Sequence, residues 1–99
     1  MKLAENEGML FVYPESSKHG IWAKGMKFPI NVIWIDGNQI SAIKTLNPHL
    51  KDIDWCRPDT VSEFVLEVNS GFCEKNNIKI GDPVEIILDE DAVQKNRNK

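Results

Sequence analysis

Trp22 and Lys24 stand two residues apart, the spacing that places both side chains on one face of a strand. There an indole and an ammonium form a cation–π or anion-binding platform. The plainer arrangement is a Trp packed at the rim of a sheet with the Lys stem lying over it. Cys56 falls between Trp55 and Arg57, and a neighbouring cation lowers a thiol's pKa and makes it a nucleophile. No companion base can be named for it, and a lone cysteine is more often simply packed. His19 sits in a polar loop, where an imidazole titrates near neutrality. No carboxylate or thiol is placed beside it in the chain, and a solvated loop histidine accounts for it. Asp36 closes an apolar run, but the Asp-Gly turn explains it without chemistry. Glu63 and Glu67 share a strand face at roughly 13 Å, farther apart than paired acid–base carboxylates need, and read as a solvated face. Asn69-Ser70-Gly71 would offer backbone N–H groups to an anion at a helix start, although an ordinary N-cap is the commoner reason for such a triplet.

Trp22, Lys24 and His19 fall in a bend over 19–29, and Trp55, Cys56 and Arg57 in a loop over 46–60. The expected site is a groove between them, with Trp22, Lys24, Trp55 and Arg57 as contacts, joined by Met26 and Asn69. No catalytic residue, metal site or cofactor is assigned. The expected function is a non-enzymatic binding or protein-interaction module, its partner a small ligand or a protein. The alternative is a small hydrolase or thiol-dependent enzyme using Cys56 or His19. It requires one of them within hydrogen-bond reach of Asp52, Asp54 or Asp59.

Composition narrows the classes. Ninety-nine residues, 41% hydrophobic and 27% charged, support one domain with one core and stand far from the disordered regime. Twelve basic and fifteen acidic residues leave a net charge of -3, and the lysines are scattered, which argues against nucleic acid as a partner. No apolar run reaches the roughly 20 residues of a membrane span, and no secretory signal pattern opens the chain. A cytoplasmic placement is expected for the chain as given. Cys56 and Cys73 form no C-x-x-C pair. They are expected as two structural thiols in a reducing compartment, or as one bridge in an oxidising one.

The elements that must position these residues follow from punctuation and periodicity. Met9 to Tyr13 is a β-prone run that Pro14 should stop, with a polar loop through Gly20. Ile21 to Lys24 reads as a short strand, and Gly25 and Pro29 bracket a bend. Ile30 to Ile35 is almost wholly apolar and β-branched or aromatic, the mark of a central strand covered on both faces. Asp36-Gly37 predicts a type I′ hairpin, with Gln39 to Thr45 returning. Residues 46–60 read as an irregular loop. Ser62 to Val68 alternates as a half-buried strand. A short helix is expected near 70–77, with Ser70 as N-cap and Asn77 left-handed. Gly81 suits a positive-φ turn, and Pro83 to Leu88 reads as the last strand. The fold class is mainly β: a small closed or partly open β-barrel of about six strands with one short helix. Residues 1–88 form this one domain, and 89–99 a polar tail.

Gly8 to Tyr13, Trp22 to Asp36 (WAKGMKFPINVIWID), Phe64 to Gly71 (FVLEVNSG) and Ile78 to Asp82 (IKIGD) resemble, in order and spacing, the blocks of domain of unknown function family 192. The resemblance runs over 8–88 and implies a compact β-rich domain, often exported in bacteria, with no established chemistry. Three departures stand out. The family usually has Met where this chain has Ala23, and Asp where it has Asn31. Members also generally carry a further N-terminal strand, whereas seven residues precede Gly8 here. By the resemblance, the edge left by that strand would pair with another copy, giving a homodimer or a swapped assembly.

Overall fold

A computed structural model of the chain describes residues 5–22, 27–48 and 55–88. Six strands and one helix are formed: β1 (Gly8–Ser17), β2 (Ile21–Trp22), β3 (Ile30–Asp36), β4 (Gln39–Leu46), β5 (Trp55–Cys56), β6 (Ser62–Asn69) and α1 (Phe72–Lys75). Four strands make an antiparallel sheet in the order β1-β6-β3-β4, and β2 pairs with β5 in a second, two-stranded sheet. No ladder closes the larger sheet among the described residues. β1 and β4 are its edges, so of the expected closed or partly open barrel these ladders form the six strands, in two sheets, without closure.

The run Ile30 to Ile35 is buried throughout because β3 lies between β6 and β4 and is packed on both faces. Ile30, Val32 and Trp34 turn to one face, where Ile21, Leu46, Val65, Phe28 and Cys56 meet them. Ile33 and Ile35 turn to the other, against Ile40, Val68, Cys73, Ile78, Val84 and Ile86. The ribbon of β2 and β5 thus covers one face, and α1 with the chain that follows it covers the other. Cys56 and Cys73 are free thiols on opposite sides of the sheet, so no bridge joins them.

The β3–β4 hairpin departs from the expected turn by one residue. Asp36 pairs with Gln39, leaving Gly37 and Asn38 as the loop. Positive φ occurs at Gly37, 62°, and not at Asn38, the pattern of a type II′ turn rather than I′. Further along, Trp34 opposes Ala42 while Ile35 opposes Ile40, so Ser41 is an extra residue, a β-bulge whose hydroxyl donates to the Trp34 carbonyl at 3.2 Å. The bulge solves a spacing problem. Ile40 and Ile43 are three apart and would point to opposite faces of a regular strand, yet both pack in the same cluster.

Four further differences have physical causes. β1 does not stop at Pro14, because an edge strand tolerates a residue without an N–H; instead its register slips there, five positions from Val12 to Ser17 spanning two on β6. The 46–60 loop is not wholly irregular, since Trp55 and Cys56 find β2. α1 is shorter than expected, and its N-cap is Gly71 at φ 92°, with no side-chain cap. The acceptor comes from the sheet. Asn31, buried, takes the Cys73 N–H on Oδ1 at 3.1 Å and donates through Nδ2 to Thr45 Oγ1 at 2.8 Å. Finally, Pro83 to Leu88 is not a strand. Only Pro83 bridges to Gln39, while Gly81 and Asp82 bond Ile40 in β4 and the Val84 N–H donates to the Asn38 carbonyl in the turn. Gly81 and Asn77 have the positive φ expected of them. The 89–99 tail lies outside the described residues.

Candidate functional site

The β2–β5 ribbon is two residues deep, and its alternation decides what each side chain does. Ile21 opposes Cys56, and both turn inward onto the core. Trp22 opposes Trp55, and both turn outward, 63% and 54% exposed. Their rings meet edge to face, centroids 6.1 Å apart at 75°, the geometry the indole quadrupole favours. Trp55 leans diagonally across the ribbon onto Gly20. A Cβ there would stand 2.4 Å from Trp55 Cζ2 and 2.5 Å from Cη2, so only glycine leaves the ring its seat. An aromatic ring laid over a glycine on the neighbouring strand is a recognised packing device. The result is a held aromatic surface rather than two loose side chains.

Charge borders this surface. Arg57, exposed, directly follows β5. Lys18 Nζ donates to Asp59 Oδ1 at 2.7 Å, and that hydrogen bond, with the Lys18 charge and a smaller contribution from Arg57, holds the Asp59 carboxyl below its usual range.

His19 is not a solvated loop side chain. Its ring stacks on Tyr13 at 3.6 Å and 11°, and its Nε2 lies 3.1 Å from both the Glu15 carbonyl and Ser17 Oγ. The slipped register of β1 carries Tyr13 and Glu15 to this position. A carbonyl can only accept, so when Nε2 donates to Glu15 it offers no lone pair to Ser17; Nδ1 stands farther from Ser17 Oγ, at 3.5 Å. The His19 carbonyl in turn accepts from Trp34 Nε1 at 2.8 Å, which ties the loop to the core. Cys56 is half-buried against that core. Of the three acids that an enzymatic reading would recruit, Asp52 and Asp54 lie outside the described residues and Asp59 is engaged by Lys18. Among the described residues neither His19 nor Cys56 meets a carboxylate.

Glu63 and Glu67 do not form a solvated face either. Val65 between them is fully buried, because this side of β6 packs under the ribbon. Glu63 Oε1 accepts the Gly37 N–H at the β3–β4 turn. Glu67 opposes Met9 and Val32; partial burial pushes its carboxyl above the usual range, and burial, then the Glu67 charge, raises the Tyr13 phenol. Asn69 ends β6 opposite Ile30 and is half-buried. At the helix start the Cys73 N–H is already taken by Asn31.

Of the expected contacts, Trp22 and Trp55 are brought together and Arg57 adjoins them. Asn69 belongs to the large sheet, on the face that carries Glu67. Lys24 and Met26 lie outside the described residues. Between the 19–29 bend and the 46–60 loop stands the β2–β5 ladder. Sequence reasoning missed Gly20 and the Tyr13–His19 stack. The G-x-W spacing before Trp22 was the available signal for the first, and nothing local signalled the second. Among the described residues no group of three or more His, Cys, Asp or Glu side chains is placed to hold a metal ion, and no helix is long and apolar enough to cross a membrane.

An open four-stranded antiparallel sheet with a short helix on one face and an aromatic ribbon on the other defines a small mainly-β domain. The chain belongs to the DUF192 family, described as "Uncharacterized ACR", whose profile matches residues 1–86. It is similar to a Sinorhizobium meliloti 1021 protein provisionally described as a transcription regulator, at 25% identity and a TM-score of 0.75 over 85% of this chain and 65% of that one. It is similar also to a Novosphingobium aromaticivorans DSM 12444 protein of unknown function, at 26% identity and a TM-score of 0.74 over 86% and 61%. The chain therefore spans less than two thirds of the length of either solved structure. No curated protein matches it.

Proposed function

We propose that this domain is a non-enzymatic binding module for a protein partner, with the β2–β5 ribbon as its contact surface and Trp22, Trp55 and Arg57 carrying the affinity. The supporting observation is the ribbon's inversion. Its smaller apolar side chains face the core while its two largest face solvent, held in place by Gly20 and by each other. Trp and Arg are the residue types that dominate interface energetics. Covering the exposed parts of two indoles removes roughly 200–300 Å² from water, about 5–7 kcal/mol before the costs of association. Lys24 and Met26, following β2 in the chain, are proposed as further contacts, and Asn69 as a polar one on the adjoining sheet.

The enzymatic alternative through Cys56 or His19 is the weaker reading, because His19 is committed to Tyr13, Ser17 and the Glu15 carbonyl. The test is affinity capture from lysate of the source cells, comparing the wild type with W22A/W55A and R57A. A partner should be retained by the wild type, reduced by R57A and lost by the double variant, with the thermal transition of each variant near that of the wild type. Identical sets of retained proteins on wild type and double variant would overturn the reading.

A further inference from the structure

The hairpin turn carries a second feature, independent of the ribbon. Asp36-Gly37 is the dipeptide in which an aspartyl side chain most readily reacts with its own backbone, because glycine leaves the next amide nitrogen unhindered. In that reaction the Gly37 nitrogen bonds to Asp36 Cγ. The nitrogen's proton and the carboxyl hydroxyl leave together as water, and a succinimide closes. Water then opens the ring at either carbonyl. One opening restores aspartate; the other routes the backbone through Cγ and leaves isoaspartate. Water is the sole co-reactant.

Here the nucleophilic nitrogen is engaged. The Gly37 N–H donates to Glu63 Oε1 on β6, and Asp36 pairs with Gln39 across the hairpin. To attack, the nitrogen must release Glu63 and turn toward Asp36 Cγ, and the pair that holds Asp36 must open. Asp36 and Gly37 are exposed, so nothing steric prevents water from completing the reaction once the clamp is off. We propose that Asp36-Gly37 is a spontaneous modification site of this chain and that Glu63 gates it, keeping isoaspartate formation slow for as long as β6 stays beside the turn. Conversion would insert a methylene into the backbone at the end of β3, lengthening the one connection whose register aims both cores.

The experiment is ageing of the full chain in H₂¹⁸O, with peptide mass spectrometry reading the ¹⁸O gained at residue 36 and fragmentation separating isoaspartate from aspartate. Wild type, E63A and E63Q are aged folded and in urea, with the folded fraction of each fixed by circular dichroism. The folded wild type should label more slowly than its urea-unfolded form. Folded E63A should label about five- to tenfold faster than folded wild type, the worth of one charge-assisted hydrogen bond at a partly exposed site. E63Q, whose amide oxygen still accepts, should fall between. All three should label alike in urea. Equal rates for folded wild type and E63A would overturn the proposal. A slower E63A would also overturn it, because Glu63 would then be acting as base rather than clamp.

Discussion

Replacing Gly20 with Ala asks whether the Trp55 indole is seated or loose. The new Cβ would stand 2.4 Å from Trp55 Cζ2, inside any real contact distance, so the ring must swing off β2. Gly20 is not one of the positive-φ glycines, so Ala meets no backbone strain, and the loss of chain freedom in the unfolded state favours folding by roughly 0.4–1 kcal/mol. Against that stands the edge-to-face pair with Trp22, about 0.5–1.5 kcal/mol. The two nearly cancel, and the net change in stability stays within about 1 kcal/mol. A melting curve is therefore the wrong assay. Spectroscopy separates the two effects. Trp22 and Trp55 are close enough for exciton coupling in far-ultraviolet circular dichroism, while Trp34 is fully buried and shielded from acrylamide. In G20A the couplet should collapse and the quenchable fluorescence should rise, with the Trp34 emission unmoved. A couplet and quenching unchanged from wild type would mean that the ring does not rest on Gly20, and the case for a held aromatic surface would fall with it.

Two other outcomes follow from groups inside the sheet. N31A removes the acceptor of the buried Cys73 N–H and the donor to Thr45, and should cost about 2–3 kcal/mol in urea unfolding; a loss below about 0.5 kcal/mol would show that α1 is not capped from β3. Glu67 has a folded-state pKa above its ordinary value, so between the two the folded protein holds a proton that the unfolded chain releases. Stability is then fullest below the ordinary glutamate pKa and falls as pH rises toward the folded-state pKa. E67Q should remove that slope and gain stability at neutral pH, by less than about 1 kcal/mol because the group is half in water, as chemical denaturation across acid and neutral pH would read.

What the sequence disclosed was what local physics decides. The run from Ile30 to Ile35 marked the doubly covered strand because no polar residue but Asn31 interrupts it, and the Phe64, Leu66, Val68 alternation marked β6. The left-handed residues at Asn77 and Gly81 were legible from their types. What stayed hidden depends on partners far along the chain. Trp55 and Cys56 form a strand only because Trp22 and Ile21 meet them, and no composition rule separates such a pair from a loop. The α1 cap was misplaced to Ser70 because the real acceptor of its Cys73 N–H, Asn31 Oδ1, is 42 residues away. Glu63 and Glu67 looked solvated because alternation reports one packed face and is silent about a ribbon laid over the other. For the candidate site, the residue types named Trp22, Trp55 and Arg57; Gly20 became visible only with the ring above it.

The strand order also sets a timetable. β3 and β4 are neighbours in the chain and can zip as they emerge, but β1 pairs with β6, Gly8 opposite Val68. During synthesis at about 5–20 residues per second, β1 waits roughly 3–12 s for its native partner to be made. Contacts of such separation slow folding, so β1 docks later than the β3–β4 hairpin closes. Pro14 and the slipped register along β1 interrupt it during that wait, when an unbroken apolar edge would invite a neighbouring nascent chain. The irregularity that carries Tyr13 to His19 in the finished domain is, earlier in the molecule's life, a safeguard against aggregation.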